Sequence, residues 1–153
     1  MLPLSEAKQQ LTGLLSGERD LIANAANFSA FLNEQLDDIN WLGFYFLQGE
    51  ELVLGPFQGR PACVRIPVGK GVCGAAVAQG ATQVVPDVHA FPGHIACDVR
   101  SRSEVVVPLW QGAVCTGVLD IDSPTADRFS AADVTYVETL AKLFCQLQYG
   151  KAR

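Results

Sequence analysis

The chain has 153 residues, of which 49% are hydrophobic and 18% charged; this composition excludes intrinsic disorder, collagen-like repeats and coiled coil, and implies one ordinary core. Eleven basic against sixteen acidic residues give a formal charge of −5 with no Lys/Arg block, which argues against nucleic acid as a partner. No secretory signal or apolar run of the roughly 20 residues needed to cross a bilayer is evident, so a cytoplasmic, non-membrane protein is expected, with its odd count of five Cys mostly reduced.

An amphipathic piece from Leu4 to Leu15 comes first and ends near Gly13 and Gly17. A longer helix follows between Ser16 and Asn40, where Leu21, Ile22, Ala25, Phe28, Phe31, Leu32 and Leu36 recur at three- and four-residue intervals. These N-terminal helices together account for residues 4–39. From Asn40 the pattern changes to aromatic and β-branched runs cut by Gly, which predicts strands over 41–47, 51–57, 62–66, 82–85, 104–110 and 113–121. Gln48-Gly49-Glu50 and Gln111-Gly112 read as hairpin turns. The sheet and its loops therefore occupy residues 40–122, and the long unpatterned stretch from Pro86 to Ser103 is the kind of connection that carries function. A last helix over 130–149 is announced by Ser130 as N-cap with Asp133 at the third helical position. The sum is a single α+β domain over 1–153: a six-stranded, mainly antiparallel sheet with the N- and C-terminal helices packed on one face.

Strand parity sorts the side chains, because successive residues point to opposite faces. Val118, Asp120 and Asp122 share one face; Cys115, Leu119 and Ile121 share the other. Trp41 and Tyr45 likewise oppose Leu42, Phe44 and Phe46. A solvated face is the ordinary reading of the two Asp; Asp is, however, a poor strand former and two on the run Gly-Val-Leu-Asp-Ile-Asp are unusual, which leaves a cationic or proton-demanding group there as the alternative. The glycines of Gly69-Lys70-Gly71-Val72-Cys73-Gly74 offer an anion-binding nest but match no complete phosphate-loop fingerprint.

Three cysteines, Cys63, Cys73 and Cys97, lie in or beside Gly/Pro-rich loops, whereas Cys115 and Cys145 alternate with core residues and read as small hydrophobes. No pair has the C-x₂₋₄-C spacing of a structural zinc site, even with His89 and His94 counted. Redox chemistry suits the loop thiols better than zinc, beside the open reading of inert or merely oxidisable thiols; Cys97, with His94 and Arg100 nearby to favour thiolate and Asp98 opposing, is the best nucleophile on local grounds.

The motifs Asn40-Trp41-Leu42-Gly43-Phe44-Tyr45, Leu54-Gly55-Pro56-Phe57-Gln58-Gly59, Gly69 to Gly74, Phe91-Pro92-Gly93-His94-Ile95-Ala96-Cys97-Asp98, Ser101-Arg102-Ser103-Glu104 and Gly117-Val118-Leu119-Asp120-Ile121-Asp122-Ser123 resemble those of the free methionine-(R)-sulfoxide reductases, small enzymes with the GAF fold. The resemblance runs from Asn40 to about Leu147. It implies that Cys97 is the catalytic cysteine, Cys63 the main resolving cysteine and Cys73 a second recycling thiol. It further implies Glu104, Asp120 and Asp122 as pocket carboxylates and Trp41 and Tyr45 as aromatic pocket residues.

The implied chemistry fits these residue types. A sulfoxide oxygen leaves only when protonated, and a carboxylic acid crowded by other carboxylates has a raised pKa and can donate. Glu104 and Asp122 are the expected donors, with Asp120 holding the substrate ammonium. Attack by Cys97 would leave a sulfenic acid, Cys63 would condense it to a disulfide, and thioredoxin would restore both thiols. Neither a metal nor an organic cofactor is called for. Pairing of Cys63 with Cys97 needs alpha carbons within about 7 Å, which suggests loop movement in each turnover. The rival reading is a non-catalytic GAF sensor of a small ligand, disfavoured because an acidic pocket repels nucleotide phosphate and no output domain accompanies the chain; a redox-buffering protein is a third. The N-terminal helices offer a surface that would close a homodimer.

Overall fold

The computed structural model describes residues 1–95 and 97–150. Six strands form one sheet: β1 (Trp41–Gln48), β2 (Glu51–Gly59), β3 (Arg65–Pro67), β4 (Gln83–Val85), β5 (Ser103–Gln111) and β6 (Val114–Ser123). Their order is β3-β2-β1-β6-β5-β4 and every adjacent pair is antiparallel. The two expected hairpins join β1 to β2 and β5 to β6. Both outermost strands are three residues long, short enough to offer little unpaired edge.

Helices α1 (Leu4–Leu15), α2 (Leu21–Gln35) and α4 (Ala131–Tyr149) lie on one face. On α1 the buried positions Ala7, Leu11 and Leu15 repeat every four residues, the spacing of one helical face. Phe28 of α2, Phe44 of β1 and Phe144 of α4 meet with ring centroids 4.9–5.4 Å apart, and Leu42, Leu119 and Ile121 complete this layer at 0% exposure. Asp20 caps α2 by accepting from the Ala23 amide. Ser130 and Asp133 form a reciprocal capping box at the start of α4. Helix α2 stops at Gln35, short of the expected 39, and Asp38 takes φ +56° in the turn that leads into β1. Of the apolar positions read from its period, Ile22 faces solvent.

The other face carries a helix that the sequence reading left as a glycine loop: α3 (Gly71–Gln79). Its sequence, GVCGAAVAQ, has no polar stripe and two glycines, so neither periodicity nor propensity announces it. The glycine that breaks the pattern is required by packing: a Cβ on Gly74 would lie 2.6 Å from the Pro67 carbonyl oxygen. Gly80 ends the helix in the left-handed conformation, its N–H shared between the carbonyls of Ala76 and Val77. Between α3 and the sheet lies a second layer that includes Trp41, Tyr45, Val72, Cys73, Val106 and Val118. Among the described residues no helix is long and apolar enough to cross a membrane.

Candidate active site

The second face becomes a site because parity and register bring its polar residues together. Asp122 of β6 stands opposite Trp41 of β1 on one side and opposite Glu104 of β5 on the other; Asp120 stands between Gly43 and Val106. Glu104, Asp120 and Asp122 are 6, 6 and 9% exposed, three acids buried where acids are rarely found without partners. Cys73, in the first turn of α3, is covered from above and brings its sulfur within 4.8 Å of a carboxylate oxygen on both Glu104 and Asp120.

The aromatic wall is fixed from beneath and behind. Trp41 stacks on Phe57 at 5.1 Å and on Tyr45 at 5.9 Å. Its indole N–H donates to the Arg60 carbonyl at 3.1 Å, and the Tyr45 hydroxyl donates to the Cys63 carbonyl at 2.8 Å. The second of these bonds ties the segment that carries Cys63 directly to the pocket wall.

Cys63 and Cys97 are joined in a disulfide, with alpha carbons 5.5 Å apart. Cys73, Cys115 and Cys145 are free. The pairing implied by the resemblance is therefore present, and it brings the long loop after β4 over the pocket. Asn40, which the sequence reading quoted in a motif without giving it a role, holds that loop down. Its side-chain amide donates to Asp98 and to the Ser101 hydroxyl, each at 3.1 Å, while its backbone N–H donates to the Asp122 carbonyl at 2.9 Å. An Asn at the mouth of an apolar strand was the available signal, but its partners lie 58 and 61 residues away.

Under the loop is a cavity of about 40 Å³, room for a few waters. Trp41, Tyr45, Cys73, Cys97, Glu104, Asp120 and Asp122 all line it, along with Gly71 and Val72 at the N-terminus of α3, and His94. Cys63 is not in the lining and reaches the cavity through its bond to Cys97. Cys115 and Cys145 belong to the opposite side of the sheet, as parity requires: Cys145 packs against the helical layer and Cys115 pairs across from Trp110.

Electrostatics divides the acids. Burial and the charges of Asp120 and Asp122 push the Glu104 carboxyl well above its ordinary range. Asp122 is raised by burial and by Asp120. Asp120 is also raised by burial, but hydrogen bonds with Glu104 and Cys73 work in the opposite sense, so it is the member best able to stay ionised. Burial and the same three acids push the Cys73 thiol far up, keeping it protonated. Arg100, expected to favour a Cys97 thiolate, instead grips Asp98 at 2.9 Å. That contact, with the Asn40 bond, holds the Asp98 carboxyl down at about 2, and the pair offsets its own charges beside Cys97. Burial and the neighbouring His89, 6.5 Å away ring to ring, lower the His94 imidazole and keep it neutral.

A neutral acid beside an ionised one, a redox-capable cysteine pair, an aromatic wall and the amides of a helix N-terminus can together protonate an oxygen, accept electrons into a disulfide and hold a small zwitterion.

Comparison with known proteins places the chain in a family. The family described as "GAF domain" matches residues 19–146. The chain is 51% identical over 144 residues to the free methionine-R-sulfoxide reductase of Escherichia coli (strain K12), covering 94% of this chain and 86% of that one. It superposes with a TM-score of 0.92 on the reduced form of fRMsr of Staphylococcus aureus, at 51% identity over 96% of each chain. With the free methionine-R-sulfoxide reductase from Neisseria meningitidis in complex with its substrate, the TM-score is 0.89 at 46% identity, over 94% of this chain and 87% of that one.

Proposed function

The chain belongs to the GAF family, and from that premise we propose that it is a free methionine-(R)-sulfoxide reductase, converting free L-methionine-(R)-sulfoxide to methionine at the cost of two thiols. The observation that carries this reading is the Cys63–Cys97 disulfide closed over a cavity that three buried acids and Trp41 line. The bond is the product of the second half of such a reaction, and it adjoins the groups that the first half needs.

In the reduced enzyme Cys97 attacks the sulfoxide sulfur. Glu104 or Asp122, neutral by burial and mutual repulsion, delivers the proton that lets the oxygen leave sulfur. Asp120 receives the substrate ammonium, the free amides at the start of α3 receive its carboxylate, and Trp41 with Tyr45 holds the S-methyl group. The oxygen, now a hydroxyl, passes to the Cys97 sulfur as the bond between the two sulfurs breaks; methionine departs with that electron pair, reduced by two electrons, and Cys97 is left oxidised to the sulfenic acid. The Cys63 thiol then displaces that oxygen as water and forms the disulfide.

A dithiol, thioredoxin in this reading, reduces the bond and is itself oxidised. Cys73 serves as a second recycling thiol, a role that requires the loop over the cavity to move. The setting is the cytoplasm, where such a reductant is maintained. A non-catalytic sensor on the same fold would leave the disulfide without a purpose.

The deciding experiment is chiral chromatography of racemic free methionine sulfoxide after incubation with the protein, thioredoxin and its reductant. Selective loss of the R epimer with matching methionine is expected. Loss of neither epimer, or of both equally, would overturn the proposal.

A further inference from the structure

Sequence spacing offers no zinc site, but the fold assembles one kind of metal-binding set from three separate elements. Cys73 of α3, Glu104 of β5 and Asp120 of β6 bring a sulfur and two carboxylate oxygens within 4.8 Å of one another. All three side chains are more than nine-tenths buried. The Oδ1 atom of Asp120 has no hydrogen-bond partner and belongs to a residue that lines the cavity. A buried acceptor left bare is costly and calls for a donor or a cation.

Two carboxylates and a thiol thus share one buried cluster. A monovalent ammonium satisfies one negative charge. A divalent ion would satisfy more, and a thiol that coordinates it gives up its proton. One thiolate with two carboxylate oxygens suits a borderline-soft ion rather than magnesium or calcium, which prefer oxygen alone.

We propose that Cys73, Glu104 and Asp120 form a binding site for zinc or a chemically similar transition-metal dication, with water from the cavity as the remaining ligand. Zinc ligands sit about 2.0–2.3 Å from the ion, so the three atoms need to draw in by about an ångström, which the end of a Glu side chain allows. Occupancy would take up the acids assigned above to protonation and ammonium binding, so the ion would inhibit; that consequence alone rests on the reductase reading.

The test uses the full chain in its disulfide form, where Cys63 and Cys97 cannot ligate, carrying Cys115→Ser and Cys145→Ser so that Cys73 is the remaining thiol. Titration with Zn²⁺ by calorimetry should give one ion per chain. Adding Cys73→Ala, or Glu104→Gln in place of it, should weaken binding by about tenfold or more. Cd²⁺ offered to the same background should raise an ultraviolet thiolate-to-metal absorption that Cys73→Ala lacks. This readout needs only the protein in which Cys73 is intact, so it holds even where a variant folds poorly. No binding, binding unchanged by Cys73→Ala, or Cd²⁺ bound without thiolate absorption would overturn the site. No sulfoxide enters these measurements, so this proposal and the reductase reading fail independently.

Discussion

Glu104 and Asp122 face one another directly across the β5–β6 ladder, a pairing of like charges that destabilises an antiparallel sheet when both are ionised. Each pushes the other towards the neutral form, and burial pushes both the same way. The strain has a use if one of them is the acid. Glu104→Gln and Asp122→Asn should each slow sulfoxide reduction, the true donor by on the order of 10²–10⁴-fold in single-turnover rate, because an amide binds the oxygen but cannot protonate it. Asp120→Asn should act chiefly on the substrate concentration needed for half-maximal rate. Saturating rates that change less than about threefold in all three variants would move the acid elsewhere.

The same repulsion should be visible in stability. For a carboxyl whose folded pKa lies above its unfolded value, the native state holds the extra proton between the two values, so stability falls as pH rises through that window and stays at the lower level above it. Glu104→Gln or Asp122→Asn should therefore raise Tm at pH 7, with the gain shrinking as pH falls towards 4. Each pH unit of displacement is worth about 1.4 kcal/mol. Thermal melts at several pH values decide the matter, and a gain that grows on acidification would contradict the assigned direction.

The cysteines separate in a timed experiment. Cys97→Ser should form no methionine even in a first turnover. Cys63→Ser should release about one methionine per site and then stall with thioredoxin, since the sulfenic acid forms before the resolving bond. Cys115→Ser and Cys145→Ser should turn over normally. Quench-flow measurement of methionine released per chain reads all four.

Substrate selection should depend on the free ammonium. N-acetylation removes the charge that Asp120 is assigned to meet, and a site built around a polar group rejects the analogue that lacks it strongly, by roughly 10⁴-fold or more where buried partners are left bare. Comparable kcat/KM values for N-acetylated and free methionine sulfoxide would be incompatible with this pocket.

Parity made much of the site legible in advance. A period of two residues is strict in a strand, so Asp120 could be set on one face with Asp122, and Trp41 on one face with Tyr45, without coordinates; that the two faces are the same follows only from the register of β1 with β6. Helix α3 was not legible because it is buried around most of its circumference and carries glycines for packing reasons that lie in Pro67. The role of Asn40 depends on Asp98 and Ser101, contacts that no local pattern encodes. Cys63 and Cys97 are separated by 34 residues, and their pairing was implied by resemblance rather than read from spacing. The Arg100–Asp98 ion pair was not read from the sequence, because proximity to Cys97 says nothing about which carboxylate takes the guanidinium's charge.

The chain between Cys63 and Cys97 contains β3, α3 and β4, both edges of the sheet and much of the lining of the cavity. Making or breaking that one bond staples or releases a loop of this size, which in chain-entropy terms is worth between about 3 and 5 kcal/mol, a large share of the roughly 5–15 kcal/mol that holds a typical domain together. Each catalytic cycle thus carries the protein between a tauter and a slacker version of itself. Melting temperature becomes a gauge of redox state, and a pool starved of reductant accumulates the sturdier form.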